Sequence, residues 1–171
     1  MNADDLRALQ APLKARYKDD PESASITLRA SGSLDGDGIA CRVDTGRALI
    51  EAGLHPATGG SGLQVCSGDM LLEALVACAG VTLKAVATAL GIAVRGGRVT
   101  AEGELDVRGT LGVDREAPVG FRAVRLAFEL DTDAPDDTLA TLIKLTERYC
   151  VVYQTLNRPP AISAGIERTA P

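Results

Sequence analysis

The longest apolar stretch of the chain, Met70 to Leu90, is the feature that most constrains its fold. Glu73 and Lys84 interrupt it, and a membrane span needs about 20 nearly uncharged residues, so we expect a helix in a protein core. At about 3.6 residues per turn, Glu73, Lys84 and Thr88 share one stripe, and the other faces are apolar or small except for Thr82. We therefore expect protein to surround this helix on almost every side.

The overall composition indicates a single aliphatic domain spanning residues 1–171. The chain is 46% hydrophobic but only 3% aromatic, so Leu, Val, Ile and Ala must fill its core. A net charge of −5 without a basic cluster argues against nucleic acid as a partner. Residues 1–6 lack the basic start and apolar run of a secretory signal, so we expect a cytoplasmic protein with no membrane partner.

Local patterns predict an α+β fold with antiparallel sheets around the central helix. The predicted segments are an N-terminal amphipathic helix kinked at Pro12 (1–20), a meander (24–52), the central helix closed by Gly91 (68–90), strands of a second sheet (92–131), a helical segment (135–157) and a last strand (161–168). The predicted strands before the last one are Ile26–Ala30, Gly38–Val43 and Arg47–Ile50 in the meander, then Ile92–Val94, Val99–Arg108 and Phe121–Leu130.

Two of the four cysteines, Cys78 and Cys150, lie in apolar segments of the chain. A thiol in such surroundings is normally inert, and two of them, each with a nearby charged residue, suggest a redox pair. Structural disulfides are rare in a reducing cytosol, and the chain has neither a CxxC spacing nor a histidine cluster for a metal. Transient, catalytic oxidation is therefore the use we expect for these thiols.

Two motifs carry a resemblance to a known family: the segment 71–78, Leu-Leu-Glu-Ala-Leu-Val-Ala-Cys, and the segment 150–156, Cys-Val-Val-Tyr-Gln-Thr-Leu. Together they resemble the OsmC/Ohr family, the osmotically inducible and organic hydroperoxide resistance proteins. The resemblance implies an OsmC-like α+β fold, an intertwined homodimer with two active sites at its interface, and reduction of hydroperoxides through a cysteine pair. It also implies no metal or organic cofactor and recycling by an external dithiol.

The resemblance assigns roles to three residues. Cys78 matches the peroxidatic cysteine, Cys150 the resolving cysteine, and Asp69 an acidic residue that is usually a longer Glu. The family's N-terminal arginine has no clear counterpart here; the candidates are Arg29, Arg42 and Arg47. The second motif also departs from the family pattern, with Val151 in place of a proline and Tyr153 in place of a serine.

Other residues are candidates for auxiliary roles. His55, before a glycine-rich loop, is a candidate base or proton shuttle, and Cys66, at the entrance of the central helix, is a candidate third redox residue. Cys41, on a predicted strand, is expected to serve packing, and Asp69 is as well suited to capping the helix as to catalysis.

Two other functions stay open at this point. One is a non-catalytic protein that binds a lipid-like or sulfur-containing ligand in an apolar interface pocket. The other is an acyl hydrolase that uses Cys78 with His55, which requires the two side chains to lie within hydrogen-bond reach.

Overall fold

The structure is a computed structural model that describes residues 2–5, 8, 10, 11, 19, 49–112 and 114–168, and describes residues 31–33 and 40–44 by their backbone. Residues 3–5, 8, 10 and 11 are helical, within the segment where an N-terminal helix is predicted, and Pro12 with its predicted kink lies outside the described residues. The later elements are β1 (Ser31–Ser33), β2 (Ala40–Asp44), β3 (Leu49–Gly53), a short 3-10 helix (Pro56–Thr58), β4 (Val65–Cys66), α1 (Ser67–Leu90), β5 (Gly96–Leu105), α2 (Val107–Thr110), β6 (Phe121–Asp131), α3 (Asp136–Tyr149) and α4 (Val151–Asn157).

The first sheet has the strand order β1-β2-β3-β4. The first three strands pair antiparallel, with Val43 of β2 opposite Ile50 of β3, and β4 adds in parallel beside β3. Strands β2 and β3 overlap the second and third strands predicted for the meander, whereas the first predicted strand, Ile26–Ala30, lies outside the described residues. Strand β4 was not predicted, because two residues are too short to show a period.

Helix α1 is the central helix, and Gly91 ends it in the left-handed conformation that a glycine adopts without a steric penalty. Its buried residues recur every fourth position and form one stripe: Leu75, Ala79, Leu83 and Ala87. The side chain of Val81, by contrast, is 73% exposed. The described part of this chain covers one face of the helix, so the expectation that protein surrounds it on almost every side stays a prediction.

By length and composition alone, α1 is long and apolar enough to cross a membrane. The expectation that Glu73 and Lys84 exclude this is wrong, because Leu, Val and Ala outweigh two charges in the average. The packing of α1 is nevertheless that of a core helix, since its buried stripe contacts β5, β6, α3 and α4.

The second sheet consists of β5 and β6, paired antiparallel from Gly96 opposite Asp131 to Leu105 opposite Phe121. The predicted strand Ile92–Val94 is absent, because the Ile92 N–H donates to the Ala87 carbonyl (2.9 Å) and closes α1 instead of joining a sheet. The predicted strand Val99–Arg108 ends early for a similar reason. The Asp106 carboxylate accepts the Arg108 N–H (3.1 Å) and turns the chain into α2.

The predicted helical segment 135–157 is two helices that meet at Cys150. Asp136 and Asp137 lie in the first turn of α3, where negative charge is favoured by the helix dipole.

The predicted last strand, 161–168, is wrong, because these residues are exposed and no described strand pairs with them. Ile162 and Ile166 are 88% and 93% exposed, so the apolar alternation of this segment has nothing in the described chain to pack against.

Two clusters form the described core, and α1 contributes to both. One surrounds Leu75, Ala79 and Cys150, and the other surrounds Leu83, Ala87 and Leu142. Phe128 of β6 packs against both clusters. The first cluster contains the two thiols.

Candidate active site

Cys150 occupies the junction between α3 and α4. Its N–H donates to the Thr146 carbonyl (2.9 Å) and ends α3, and its carbonyl accepts the Gln154 N–H (2.9 Å) and begins α4. Its backbone is extended, with φ −74° and ψ 110°, so the chain changes direction there. The side chain is fully buried, and its sulfur accepts the Tyr153 N–H at 3.5 Å.

Cys78 lies on α1 and packs, half-buried, against the cluster that contains Cys150. The two thiols lie close enough to shift each other's pKa. The structure therefore brings together two cysteines that are far apart in sequence, and both are reduced.

Neutral donors surround the Cys78 sulfur. Burial raises the pKa of this thiol, but hydrogen bonds from the Val152 N–H, the Cys150 thiol, the Val151 N–H and the Thr82 hydroxyl outweigh burial and hold the pKa below that of an ordinary thiol. The two backbone donors belong to the first residues of α4, where N–H groups have no partner inside the helix. The turn at Cys150 therefore directs free N–H groups at the other cysteine.

The pKa of Cys150 shifts in the opposite direction. Burial raises it most, and hydrogen bonding and charge from Cys78 raise it further, against a lowering by the Tyr153 and Val152 N–H groups. Of the two thiols, Cys78 is therefore the one that loses its proton more readily. A thiolate is the nucleophilic form of cysteine, so the arrangement favours Cys78 over Cys150 for nucleophilic chemistry.

A cavity of about 770 Å³, lined mostly by apolar residues and also by Arg122, Arg125, Glu147 and Asn157, lies next to the thiol cluster. Neither cysteine lines it, but Leu75, Leu126, Phe128 and Tyr153 do, and these four also belong to the cluster around Cys150. The cavity could hold the alkyl part of an organic ligand close to the pair.

Asp69 lies in the first turn of α1, and its side chain is exposed. Cys66 occupies the N-cap position of α1. The prediction that Asp69 caps the helix is therefore wrong. No hydrogen bond joins Asp69 to a described residue, and it lines a separate surface cavity with Glu73 and Val76. Within the described chain it does not meet the thiols, and its catalytic role stays a prediction.

His55 has a structural task in the loop before α1. Its Nδ1 accepts the Ala57 N–H (3.0 Å) and caps the short 3-10 helix, and the imidazole is exposed. No hydrogen bond joins it to Cys78 in the described part of the molecule. The arrangement that a Cys-His hydrolase requires is therefore not present there.

The remaining candidates lie away from the pair or outside the described side chains. Cys66 caps α1 without a side-chain hydrogen bond, and its sulfur lies near Gly68. The side chains of Cys41, Arg29, Arg42 and Arg47 are outside the described residues. Among the described residues, no group of three or more His, Cys, Asp or Glu could hold a metal ion.

Sequence reasoning missed the donors around Cys78. The helix that begins directly after Cys150 was the signal for the backbone donors, because the first N–H groups of a helix have no partner inside it and are free to bind another group. The role of Gln154 in the second motif was also missed: its Nε2 donates to the Glu147 carbonyl (2.8 Å) and ties α4 to α3. This bond supports the turn that directs Val151 and Val152 at the thiol.

Comparison with known proteins gives the chain a family. A family model described as OsmC-like protein matches residues 60–164, which is more than half of the chain. A comparison with curated protein sequences found no match.

Solved structures share the fold at low sequence identity. An OsmC-like protein from Mycoplasma pneumoniae aligns with a TM-score of 0.65 and 18% identity, over 79% of this chain and 90% of that one. An organic hydroperoxide resistance protein OsmC from Legionella pneumophila aligns with a TM-score of 0.61 and 16% identity, over 78% of this chain and 90% of that one. An organic hydroperoxide resistance protein from Elizabethkingia anophelis, with thiocyanate bound, aligns with a TM-score of 0.54 and 17% identity, over 79% of this chain and 90% of that one. The chain belongs to the OsmC-like protein family.

Proposed function

We propose that this protein is a thiol-dependent peroxidase that reduces organic hydroperoxides through Cys78 and Cys150. One observation carries the proposal: the two thiols pack in one core cluster and shift each other's pKa, with the pKa of Cys78 lowered and that of Cys150 raised. The names of the Legionella pneumophila and Elizabethkingia anophelis proteins, organic hydroperoxide resistance proteins, agree with it.

The proposed reaction has three steps. The Cys78 thiolate attacks the terminal oxygen of ROOH, so that an S–O bond forms as the O–O bond breaks, and RO⁻ leaves and takes a proton from water. The Cys150 thiol then attacks the sulfenic acid, forming the disulfide and releasing water. An external dithiol exchanges with the disulfide, restores both thiols and is itself oxidised to a disulfide.

The surroundings of the pair favour an organic substrate. An alkyl group bound in the apolar cavity gains about 25 cal/mol per Å² of apolar surface removed from water, and hydrogen peroxide has no such group. The reaction needs no metal or organic cofactor, because the thiolate and the resolving thiol supply the chemistry.

We further propose that the active unit is a homodimer in the cytoplasm, without a nucleic acid or membrane partner. Val81 of α1 is 73% exposed and lines a mostly apolar groove, and an exposed apolar surface of this kind is typical of an interface. A dimer would also offer Asp69 a route to the thiols of the partner, since nine helical residues, about 13 Å, separate it from Cys78 in its own chain.

The decisive experiment is oxidation of the reduced protein with a stoichiometric organic hydroperoxide. We expect a disulfide between Cys78 and Cys150 on peptide mass mapping, no peroxide consumption by Cys78→Ser, and a sulfenic acid trapped by a dimedone-type reagent in Cys150→Ser. Cys66→Ser serves as the control and should behave as the unmodified protein does. Oxidation confined to Cys66 or Cys41 would refute the assignment.

A second function is favoured by the apolar cavity alone: binding of a lipid-like or sulfur-containing ligand without catalysis. The same experiment separates the two. Equal, slow peroxide consumption by the unmodified protein and by Cys78→Ser would support the binding function, because the thiol would then contribute nothing to turnover.

A further inference from the structure

Tyr153 of α4 belongs both to the thiol cluster and to the wall of the neighbouring cavity. Four residues share this double position: Leu75, Leu126, Phe128 and Tyr153. Tyr153 is the one among them with a polar side chain, and it carries the single hydroxyl among the described residues of the cavity wall. A ligand in the cavity therefore meets this side chain where the wall borders the thiol cluster.

The backbone of α4 holds Tyr153 at this boundary. Its N–H donates to the Cys150 sulfur at 3.5 Å, and Val152, the residue before it, also packs against the thiol cluster. The bond to the sulfur comes from the main chain, so it does not depend on the tyrosine side chain. A substitution that removes only the hydroxyl leaves this bond in place.

The Tyr153 hydroxyl has no hydrogen-bond partner among the described residues. Tyr153 is half-buried, and a tyrosine hydroxyl inside a protein usually has a partner. In the described part of the chain no sealed polar side-chain atom lacks a partner, so this hydroxyl is open to water or to a ligand. The cavity is the open space that Tyr153 lines.

The proposed reaction requires a proton at the cavity side of the thiol pair. When the Cys78 thiolate attacks ROOH, the O–O bond breaks and negative charge develops on the leaving oxygen, which is a strong base. A phenol can donate a hydrogen bond to that oxygen and release its proton to it.

The other polar residues of the cavity wall are Arg122, Arg125, Glu147 and Asn157. Guanidinium and amide groups do not release a proton near neutral pH, and an ionised carboxylate has none to give. Arg125 also donates two hydrogen bonds to Glu102, and Arg122 pairs with Asp106 at 3.9 Å. The phenol is therefore the group of the wall that is suited to proton transfer.

We propose that Tyr153 is a catalytic residue of this site, whose hydroxyl donates a hydrogen bond to the leaving oxygen of the hydroperoxide and transfers its proton as the O–O bond breaks. The terminal OH group passes to the Cys78 sulfur, the leaving RO⁻ becomes ROH, and the tyrosinate regains a proton from water. The inference rests on the proposed function in taking Cys78 as the attacking thiolate. It adds the residue through which the proton from water reaches the product alcohol.

The test compares two small oxidants whose leaving groups differ in basicity. An alkyl hydroperoxide such as tert-butyl hydroperoxide releases an alkoxide, a strong base that needs a proton, whereas peracetic acid releases a carboxylate, a weak base that does not. Each oxidant is mixed with the reduced protein, and the single-turnover rate of Cys78 oxidation is read by mass mapping of quenched samples.

Tyr153→Phe removes the hydroxyl and keeps both the ring and the main-chain bond to the Cys150 sulfur. Tyr149→Phe is the matched control, because Tyr149 is 59% exposed and does not line the cavity beside the thiols. Alkylation of Cys78 by iodoacetamide is a second measurement in both variants. The iodide that leaves needs no proton, so the alkylation rate reports whether the thiol and its surroundings are intact.

We expect Tyr153→Phe to slow oxidation by tert-butyl hydroperoxide about 100-fold, because a positioned general acid contributes about 10²–10⁴ in rate. Its rates with peracetic acid and with iodoacetamide should change by less than about threefold, since neither leaving group needs a proton. Tyr149→Phe should retain all three rates of the unmodified protein.

An unchanged rate with tert-butyl hydroperoxide in Tyr153→Phe would overturn the inference. An equal loss with all three reagents would also overturn it, because the cause would then be the packing of the site and not the proton. The same selective loss in Tyr149→Phe would overturn it as well, since that hydroxyl does not line the cavity.

The outcomes also separate this inference from the proposed function. Oxidation of Cys78 by tert-butyl hydroperoxide that is equally fast with and without the Tyr153 hydroxyl would refute the inference and leave the peroxidase standing. An unmodified protein whose Cys78 is not oxidised by the hydroperoxide would refute both, because there would be no leaving oxygen to protonate.

Discussion

At the scale of single residues, the site is made by the different surroundings of two chemically identical side chains. Cys78 receives hydrogen bonds from N–H, S–H and O–H donors that favour its charged form, whereas burial and the neighbouring Cys78 favour the neutral form of Cys150. The proposed division of roles between nucleophile and resolving thiol would therefore follow from where the free N–H groups of α4 point.

The lowered pKa of Cys78 predicts the order in which the thiols react. As pH rises, the Cys78 thiolate forms first, since its pKa lies below that of an ordinary thiol and the pKa of Cys150 lies above it. Mass mapping after brief alkylation at increasing pH should show Cys78 modified at a pH where Cys150 is still intact. Modification of Cys150 before Cys78 would contradict the assignment of roles.

The Gln154 amide predicts a positioning effect on the same thiol. Gln154→Leu removes the bond from Nε2 to the Glu147 carbonyl, which loosens α4 on α3 and misdirects the Val151 and Val152 N–H groups. We expect the Cys78 pKa to rise and hydroperoxide reduction to slow severalfold, with the fold retained by circular dichroism. Thr155→Val is the control, because Thr155 is exposed on α4 and makes no side-chain hydrogen bond to a described residue.

At the scale of elements, α1 and α3 hold the thiol cluster in place. Leu142 of α3 is fully buried against Leu83 and Ala87 of α1, so the two helices share one core next to the cysteines. The contact fixes α3, and with it the turn at Cys150.

Leu142→Ala should destabilise the fold by about 2–5 kcal/mol, because it removes buried methyl groups and leaves a cavity. Urea unfolding provides the measurement. Leu63→Ala is the control with the same chemical change, since Leu63 is 92% exposed, and it should alter the free energy of unfolding by less than about 0.5 kcal/mol. Similar losses in both variants would show that burial of Leu142 is not the cause.

The junction of β5 and α2 predicts a pH-dependent contribution to stability. Hydrogen bonds from Arg108 lower the pKa of Asp106 to about 2 against an ordinary value of 3.8. A carboxylate whose pKa is lowered by folding contributes stability that is fully present above its unfolded pKa and is lost as the pH falls through its folded pKa.

Asp106→Asn should therefore lower the Tm at pH 6, and the difference from the unmodified protein should shrink as the pH falls from about 4 to about 2. Thermal unfolding followed by circular dichroism at each pH provides the comparison. Glu129→Gln is the control, since Glu129 is an exposed carboxylate on β6. It should leave the Tm almost unchanged both at pH 6 and at about pH 2. A constant difference at every pH would argue against the ionised form as the stabilising one.

At the scale of the whole molecule, the described chain covers one face of α1 and leaves the other exposed. The exposed face carries Val81, and an apolar groove of about 440 Å³ runs beside it along β5. Burial of such a face requires a second surface, and a second copy of the chain is the partner we propose.

Val81→Glu should dissociate the proposed dimer, because it places a carboxylate in the mostly apolar groove that Val81 lines. Sedimentation at low micromolar concentration should show a dimer for the unmodified protein and a monomer for the variant. Val119→Glu, at a loop valine that is 64% exposed, is the control and should stay dimeric. A monomeric unmodified protein would remove the interface and the route by which Asp69 reaches a thiol.

The sequence by itself determined the elements whose residues follow a clear period or carry a stop signal. The apolar run that ends at Gly91 predicted α1 to within one residue, and the alternation from Phe121 onward predicted β6. The two cysteine motifs were sufficient to indicate the OsmC-like family, because the residues that define a family site remain recognisable when the rest of a sequence has diverged.

The tertiary structure alone decided which groups meet. No local pattern states that the N–H groups of Val151 and Val152 reach Cys78, since that depends on how α4 packs against α1. The same limit explains the error at Ile92–Val94 and at 161–168: an apolar alternation shows that a segment is suited to a strand, whereas a strand forms only where another strand lies beside it to share hydrogen bonds.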